Sequence, residues 1–142
     1  MKTTQARMIG AVAVLALLVL TCKGLRADET EDKAVRAIAK LGCSVNRDEK
    51  TDAKPVIVVN LIGTKVTDAG LKDLAALKSL RRLYLGDTPV TNAGLKELAA
   101  LKSLQVLILY RTKVTDTGLQ ELTALKSLHE LDLLGTQVTE LG

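Results

Sequence analysis

The chain has 142 residues, enough for one modest domain. It contains no Phe, no Trp and only two Tyr, although a core of this size normally uses aromatic rings to fill irregular gaps. The formal charge of +4 comes from four cations within residues 1–27, which contain no anion. The rest of the chain has 20 − 4 = 16 Lys and Arg against 16 Asp and Glu, so the charge gives no evidence for nucleic acid binding.

The first 27 residues have the layout of a secretory signal peptide, with two early cations, an uncharged stretch at residues 8–20 and a plausible cleavage site after Ala27. The apolar stretch is shorter than the roughly 18–20 residues that span a bilayer. We therefore expect export to the periplasm or the exterior, with residues 1–27 removed. The alternative is a membrane anchor through residues 8–20, and lipidation at Cys22 is a weaker one.

Residues 28–55 are expected to form an N-terminal cap and a connector. A helix is predicted over Glu31–Leu41, with Thr30 as its N-cap and Gly42 as the left-handed residue that ends it. Glu31 and Asp32 would then lie in the first turn and Lys40 in the last, where each charge suits the helix dipole. One face of this helix is apolar and would cover the end of a stack, through Ala34, Val35, Ile38 and Leu41.

The connector at residues 44–54 is polar and could include a short strand at Val45. Cys43 is the one cysteine left after removal of the signal, so it has no intramolecular disulfide partner. Two interpretations stay open for it. It is a small buried apolar residue, or it is an odd thiol that pairs between chains or reacts.

From residue 56 onward the sequence repeats every 24 residues. The segment VTDAGLKDLAALKSL at 66–80 returns as VTNAGLKELAALKSL at 90–104 and as VTDTGLQELTALKSL at 114–128. A period of this length with apolar residues at fixed positions is typical of a solenoid. One threonine column marks the point where the chain leaves each strand, and its hydroxyls are expected to bond to backbone groups of the turn: Thr64, Thr88, Thr112 and Thr136.

Each repeat is predicted to contain a short strand and then a helix. The alternation at Leu83-Tyr84-Leu85 indicates a strand with one buried face. Leucines at helical spacing follow, and Thr67 or Asp68 is a suitable cap for the first repeat helix. Strand, turn and helix in register predict an α/β solenoid over residues 56–142, about three and a half repeats, with parallel strands on one side and helices on the other.

The pattern LxxLxLxxTxVTDAGLxxLAxLxxL resembles the leucine-rich repeat family. The VTDAGL variant is similar to repeats of exported bacterial leucine-rich repeat proteins and to those of F-box substrate receptors of ubiquitin ligases. The resemblance implies a right-handed solenoid with strands on the concave face and helices on the convex face. It also implies a non-catalytic module that binds a protein or peptide, with substrate recognition of the ubiquitin-ligase kind as a remote alternative.

The sequence offers little for catalysis. His129 is the only histidine, no metal-ligand cluster or phosphate-binding glycine motif is visible, and Ser127 repeats a template serine at Ser79 and Ser103. We therefore expect no enzyme activity, no cofactor and no metal.

The informative positions are those where the repeats differ from one another, and they lie on the outward face of the strands. Tyr and Arg are enriched at binding hot spots, and both tyrosines fall here, with Cα atoms expected about 8 Å apart. The outward columns are Val58, Arg82, Val106 and Glu130; Asn60, Tyr84, Ile108 and Asp132; and Ile62, Gly86, Tyr110 and Leu134. The candidate protein-binding residues are Arg82, Tyr84, Asp87, Ile108, Tyr110, Arg111, Glu130 and Asp132.

The alternative is that these side chains only shield the sheet and that the chain is a truncated or structural fragment without a ligand of its own. The sequence stops at Gly142, where a fourth repeat helix should begin. An uncapped last strand is an association hazard, so self-association through the C-terminal repeat is a further possibility.

Overall fold

The computed structural model describes residues 26–139. The predicted signal peptide lies outside the described residues except for its last two positions, and so does the predicted start of a fourth repeat helix. Between residues 26 and 139, no helix combines the length and apolar content that a bilayer crossing requires. The elements in chain order are α1 (Arg26–Ala39), β1 (Ser44–Arg47), β2 (Val56–Asn60), α2 (Asp68–Leu74), β3 (Arg82–Tyr84), α3 (Asn92–Leu98), β4 (Val106–Ile108), α4 (Asp116–Leu122) and β5 (Glu130–Asp132).

The strands form one five-stranded sheet in the order β1-β2-β3-β4-β5. Strands β2 to β5 are parallel, and equivalent repeat positions pair directly, so that Leu83 lies opposite both Val59 and Leu107. Three helices, α2, α3 and α4, connect these strands and pack in sequence against one another. The architecture confirms the predicted α/β solenoid with parallel strands.

The core is built from the inward column of the sheet and the apolar faces of the helices. Val59, Leu83 and Leu107 are completely buried, as are the helix leucines Leu71 and Leu95. Full burial of one such side chain stabilises the fold by about 1.5–3 kcal/mol. The core contains aliphatic side chains alone, because equal layers stacked in register leave no irregular gap for an aromatic ring to fill.

Helix α1 covers the first repeat as predicted, but its bounds differ from the prediction. It begins at Arg26, so Thr30 lies inside the helix and is not its N-cap, and Lys40 lies beyond its end at Ala39. Residues 26–29 add one more turn because none of them breaks a helix. Gly42, with a φ of +81°, ends the helix region as predicted. Ala34 and Ile38 are buried in the core, and Val35 and Leu41 pack against it.

Glu31 and Asp32 have a different role from the predicted one in the helix dipole. The Arg47 guanidinium on β1 donates to Asp32 at 2.6 Å and to Glu31 at 3.3 Å. Glu31 also accepts a hydrogen bond of 2.7 Å from the buried N–H of Val56, the first residue of β2. These contacts fix α1 to both β1 and the first repeat. The strand expected at Val45 is present and pairs antiparallel with β2.

The threonine column makes the predicted backbone contacts. Each hydroxyl donates to the carbonyl three residues earlier, at 2.6 Å for Thr88 and 2.7 Å for Thr112, and both of these side chains are buried. Thr64 and Thr136 make the same contact. Each turn therefore satisfies its own carbonyl inside the stack, where water cannot reach it.

A second ladder, which sequence reasoning did not predict, joins consecutive repeats at the helix starts. Asp68 accepts hydrogen bonds from the backbone N–H of Thr91 at 2.8 Å and from its hydroxyl at 2.7 Å. Asn92 makes the equivalent pair of contacts with Thr115. Thr67 occupies the N-cap position of α2 but its side chain makes no capping bond. Asp68 therefore serves the next repeat and not the cap of its own helix.

Cys43 lies half-buried and packs against the core, with its thiol unpaired among the described residues. Burial raises the pKa of the Cys43 thiol above its ordinary value, and a hydrogen bond to the backbone opposes this in part. A raised pKa reduces the thiolate fraction, so its environment favours the apolar interpretation over the reactive one.

Candidate binding surface on the open sheet face

The parallel register places the outward strand residues in rows that cross the sheet. We call this outward side of β2 to β5, with the turns that follow the strands, the open sheet face. One row runs from Val58 through Arg82 and Val106 to Glu130. The next row runs through Asn60, Tyr84, Ile108 and Asp132. The first two predicted columns are confirmed, and five of the eight candidate residues lie on three adjacent strands.

The exposed candidates are charged and the half-buried ones are mostly apolar or aromatic. Arg82 and Glu130 are exposed, whereas Tyr84 and Ile108 are half-buried. Val106 differs from a solvated outward residue, because only 6% of it is exposed. It lies between Arg82 and Glu130 in the row, and strands about 4.8 Å apart let two longer neighbours shield a short side chain.

The remaining tyrosine leans toward the neighbouring repeat. Tyr110 follows β4, and its ring lies over the backbone of Gly86 after β3, since a methyl group added at Gly86 would overlap ring atoms Cε1 and Cζ. Gly86 comes two residues after Tyr84 in the same extended segment. At about 3.3 Å per residue, their Cα atoms are about 6.6 Å apart. The glycine therefore makes room for an aromatic ring on the side where Tyr84 also lies. Sequence reasoning did not predict this contact.

The turns after the strands contain one position where the backbone is left-handed in every repeat. Gly63 and Gly135 occupy it in the first and last repeats, with φ values of +67° and +71°. Asp87 and Arg111 occupy it in the middle repeats, with φ values of +54° and +53°. A side chain in this conformation costs up to about 1–2 kcal/mol, less for Asp than for Arg, and glycine avoids this cost. The two middle repeats therefore place charged side chains where the backbone favours glycine.

These two strained residues form an ion pair with each other. Arg111 Nη1 lies 3.7 Å from Asp87 Oδ1, and 72% of the Arg111 side chain and 42% of the Asp87 side chain are exposed to solvent. An exposed pair at this distance contributes about 0–1 kcal/mol, too little to offset two left-handed side chains. The pair is therefore not explained by stability.

The middle repeats also lack a second turn-stabilising feature. Asn60 and Asp132 each accept a hydrogen bond from the backbone N–H two residues later, at 3.0 Å and 2.9 Å. Tyr84 and Ile108 occupy the same position in the middle repeats and have no side-chain oxygen that can reach this N–H. Such a bond contributes about 0.5–1.5 kcal/mol. Aligning the four turns would have shown that the middle pair departs from the outer pair at both positions.

The geometry therefore defines an α/β solenoid of the leucine-rich repeat class, with a strand, a turn and a helix in each 24-residue unit. The family model described as "Leucine Rich repeat" matches residues 76–99, one full period of the repeat. This match agrees with the resemblance to the leucine-rich repeat family that the sequence pattern carries.

Three solved structures are similar to parts of the chain. An internalin C2 from Listeria monocytogenes is 30% identical, with a TM-score of 0.44, over 50% of this chain and 30% of that one. An internalin (inlF) from the same organism is 23% identical, with a TM-score of 0.38, over 54% and 28%. The structure of PEPR1-AtPEP1 is 17% identical, with a TM-score of 0.31, over 62% and 19%. The chain thus spans less than a third of each of these proteins. No curated protein matches the sequence.

Proposed function

We propose that the protein is a non-catalytic binding module that holds a protein or peptide segment on the open sheet face. The observation that carries this proposal is the difference between the outer and middle repeats. The outer repeats have an Asn or Asp and a glycine that stabilise the turn. The middle repeats give up both features and place four of the candidate residues at these two positions instead: Tyr84, Asp87, Ile108 and Arg111.

The energetic argument favours a binding role over simple shielding of the sheet. Two left-handed side chains and two missing turn bonds together cost a few kcal/mol, which is a large part of the 5–15 kcal/mol that stabilises a typical domain. If these side chains only shielded the sheet from solvent, the Asn and Asp found in the outer repeats would serve equally well without this loss of stability. Backbone strain of this kind clusters at functional sites, and repeat proteins use such strand faces for binding.

We further propose that binding takes place outside the cytoplasm. The support is the sequence pattern of residues 1–27, with its early cations, short apolar stretch and small residue at position 27. Mass spectrometry of the protein from the exported fraction should find a mature chain that begins at Asp28. A chain that retains residues 8–20 would support the membrane-anchored alternative instead.

The binding proposal is tested by capture of partners from the exported fraction. Wild-type protein is compared with a Tyr84→Ala, Tyr110→Ala variant and with a control changed at two exposed helix residues, Lys72→Ala and Gln120→Ala. The tyrosine variant should lose captured partners that the control retains. Identical partners on all three proteins, with circular dichroism showing an intact fold, would sink the proposal in favour of a structural fragment.

A further inference from the structure

We propose that the open sheet face selects a segment of opposite charges, with an acidic side chain over Arg82 and a basic side chain beside Glu130 and Asp132. This inference rests on the proposed binding function and adds the chemistry of the partner. The bound segment would lie across the strands, with an apolar or neutral part over β4.

The spacing of the charges follows from the register. Arg82 on β3 and Glu130 on β5 both pair with Val106 on β4, so they lie in one row. Two strand spacings of about 4.8 Å separate their Cα atoms by about 10 Å. In a polyproline II segment, residues i and i+3 lie on the same side and about 9 Å apart, from 3.1 Å per residue. A segment with an acidic residue at i and a basic residue at i+3 therefore matches the row.

The fold does not use the charges on either side of Val106 in this row. Within residues 26–139, neither Arg82 nor Glu130 has a side-chain hydrogen bond or an ion pair, and both are exposed. Asp132 uses one oxygen for the turn N–H of Leu134 and has the other available. By contrast, the Arg47 guanidinium is bound by two carboxylates and a backbone carbonyl. Arg82 and Glu130 in this row, together with Asp132 in the next row, therefore present one cation and two anions to a partner.

The middle of the row excludes charge. Val106 is 6% exposed, and Ile108 beside it is half-buried, so β4 offers no group that could pair with an ion. A charged side chain held there would lose hydration without compensation. The partner is therefore expected to place its charges over β3 and β5.

Charge also decides between possible occupants. A polyanion would be attracted at Arg82 and repelled at both carboxylates of β5. A second copy of this chain, paired antiparallel along β5 and centred on Leu131, would bring Glu130 opposite Asp132, and like charges directly opposite each other are destabilising. A segment with an acidic end and a basic end meets neither repulsion.

The test uses random 12-residue peptides displayed on phage and selected on the purified full-length chain. Enriched peptides should carry Asp or Glu three residues from Lys or Arg. Replacing either charge with Gln should weaken binding roughly threefold to tenfold, as for partly exposed charge-assisted contacts. Arg82→Glu should weaken binding of the enriched peptides. It should strengthen binding of peptides in which Lys replaces the Asp or Glu. Lys72→Gln, at an exposed residue of α2, is the matched control.

The outcomes separate this inference from the proposed function. Peptide binding that is lost when Tyr84 and Tyr110 are replaced, but is unchanged by Arg82→Glu and Glu130→Gln, would overturn the charge selection. The binding function of the open sheet face would then still stand. Peptides that ignore the tyrosines as well, or a selection that enriches no peptide, would overturn the proposed function itself. Enrichment of self-pairing sequences that resemble β5 would also overturn the inference, in favour of a second copy.

Discussion

The aromatic ring of Tyr110 lies over the backbone of Gly86, one repeat earlier, and the glycine has no side chain that would displace it. This relationship links the turn of one middle repeat to the side chain of the next. It explains why one turn has a glycine at the position where the following turn has a tyrosine.

A double-mutant cycle tests this contact. Gly86→Ala should lower the free energy of unfolding by about 1–3 kcal/mol, because the added methyl forces the Tyr110 ring away from its position. In a Tyr110→Ala background the same change should cost much less, since the space is then empty. Urea unfolding of the four proteins measures the coupling. Equal costs in both backgrounds would show that the ring does not occupy this space.

The left-handed turn positions give a second prediction. Asp87→Gly and Arg111→Gly should leave the free energy of unfolding unchanged or raise it by up to about 1 kcal/mol, because glycine relieves the unfavourable φ. Gly63→Ala should lower it by about 1 kcal/mol, since nothing lies within 4 Å of the added methyl and only the backbone conformation is penalised.

The same variants connect stability to function. If Asp87 and Arg111 are kept for binding, the two glycine variants should lose affinity for selected peptides while gaining or keeping stability. Thermal melts and peptide binding on the same samples provide both readouts. A clear loss of stability in Arg111→Gly would contradict the proposed strain.

Asp116 provides a prediction of pH dependence. It accepts hydrogen bonds from the Thr139 backbone N–H and hydroxyl, both at 2.7 Å. The backbone bond, and then the hydroxyl bond, hold the pKa of Asp116 below its ordinary value of 3.8. A lowered pKa in the folded state means that the stabilisation is present above the unfolded-state pKa and is lost as the pH falls through the folded-state pKa.

The chain itself suggests the variant for this test. Asn92 makes the equivalent contacts with an amide in place of a carboxylate, so Asp116→Asn should keep the geometry and remove this titration. Melting temperatures of the two proteins should converge as the pH falls below 3.8. Asp73→Asn, at an exposed residue of α2, is the control and should leave the acid limb of the profile unchanged.

The attachment of α1 gives a fourth prediction. Glu31→Ala should lower the free energy of unfolding by about 1–3 kcal/mol, because the buried Val56 N–H loses its acceptor and Arg47 loses a partner. Glu31→Gln retains an acceptor oxygen and should cost less. Glu29→Ala, at an exposed residue of the same helix, is the matched control. An equally small effect of all three changes would show that Glu31 does not hold α1 on the first repeat.

The sequence by itself determined the architecture, because a 24-residue period repeats one local solution. Leucines at fixed spacing can be buried together in one way only, with each unit against the next. The inward and outward columns followed from strand alternation, and the threonine contacts followed from the shortness of the turns. The bounds of α1 did not follow, since Thr30 is a suitable N-cap residue but the helix continues through residues 26–29 before it.

An alignment of the four turns locates the differences between the middle and outer repeats, but only the tertiary structure showed what these residues do. The position of the Tyr110 ring over Gly86 and the burial of Val106 involve residues that are 24 apart in the sequence but neighbours across the sheet. The ladder from Asp68 to Thr91 has the same origin, because periodicity aligns residues without showing which atoms meet. Local pattern specifies the frame of this protein, and contacts between successive repeats specify its surface.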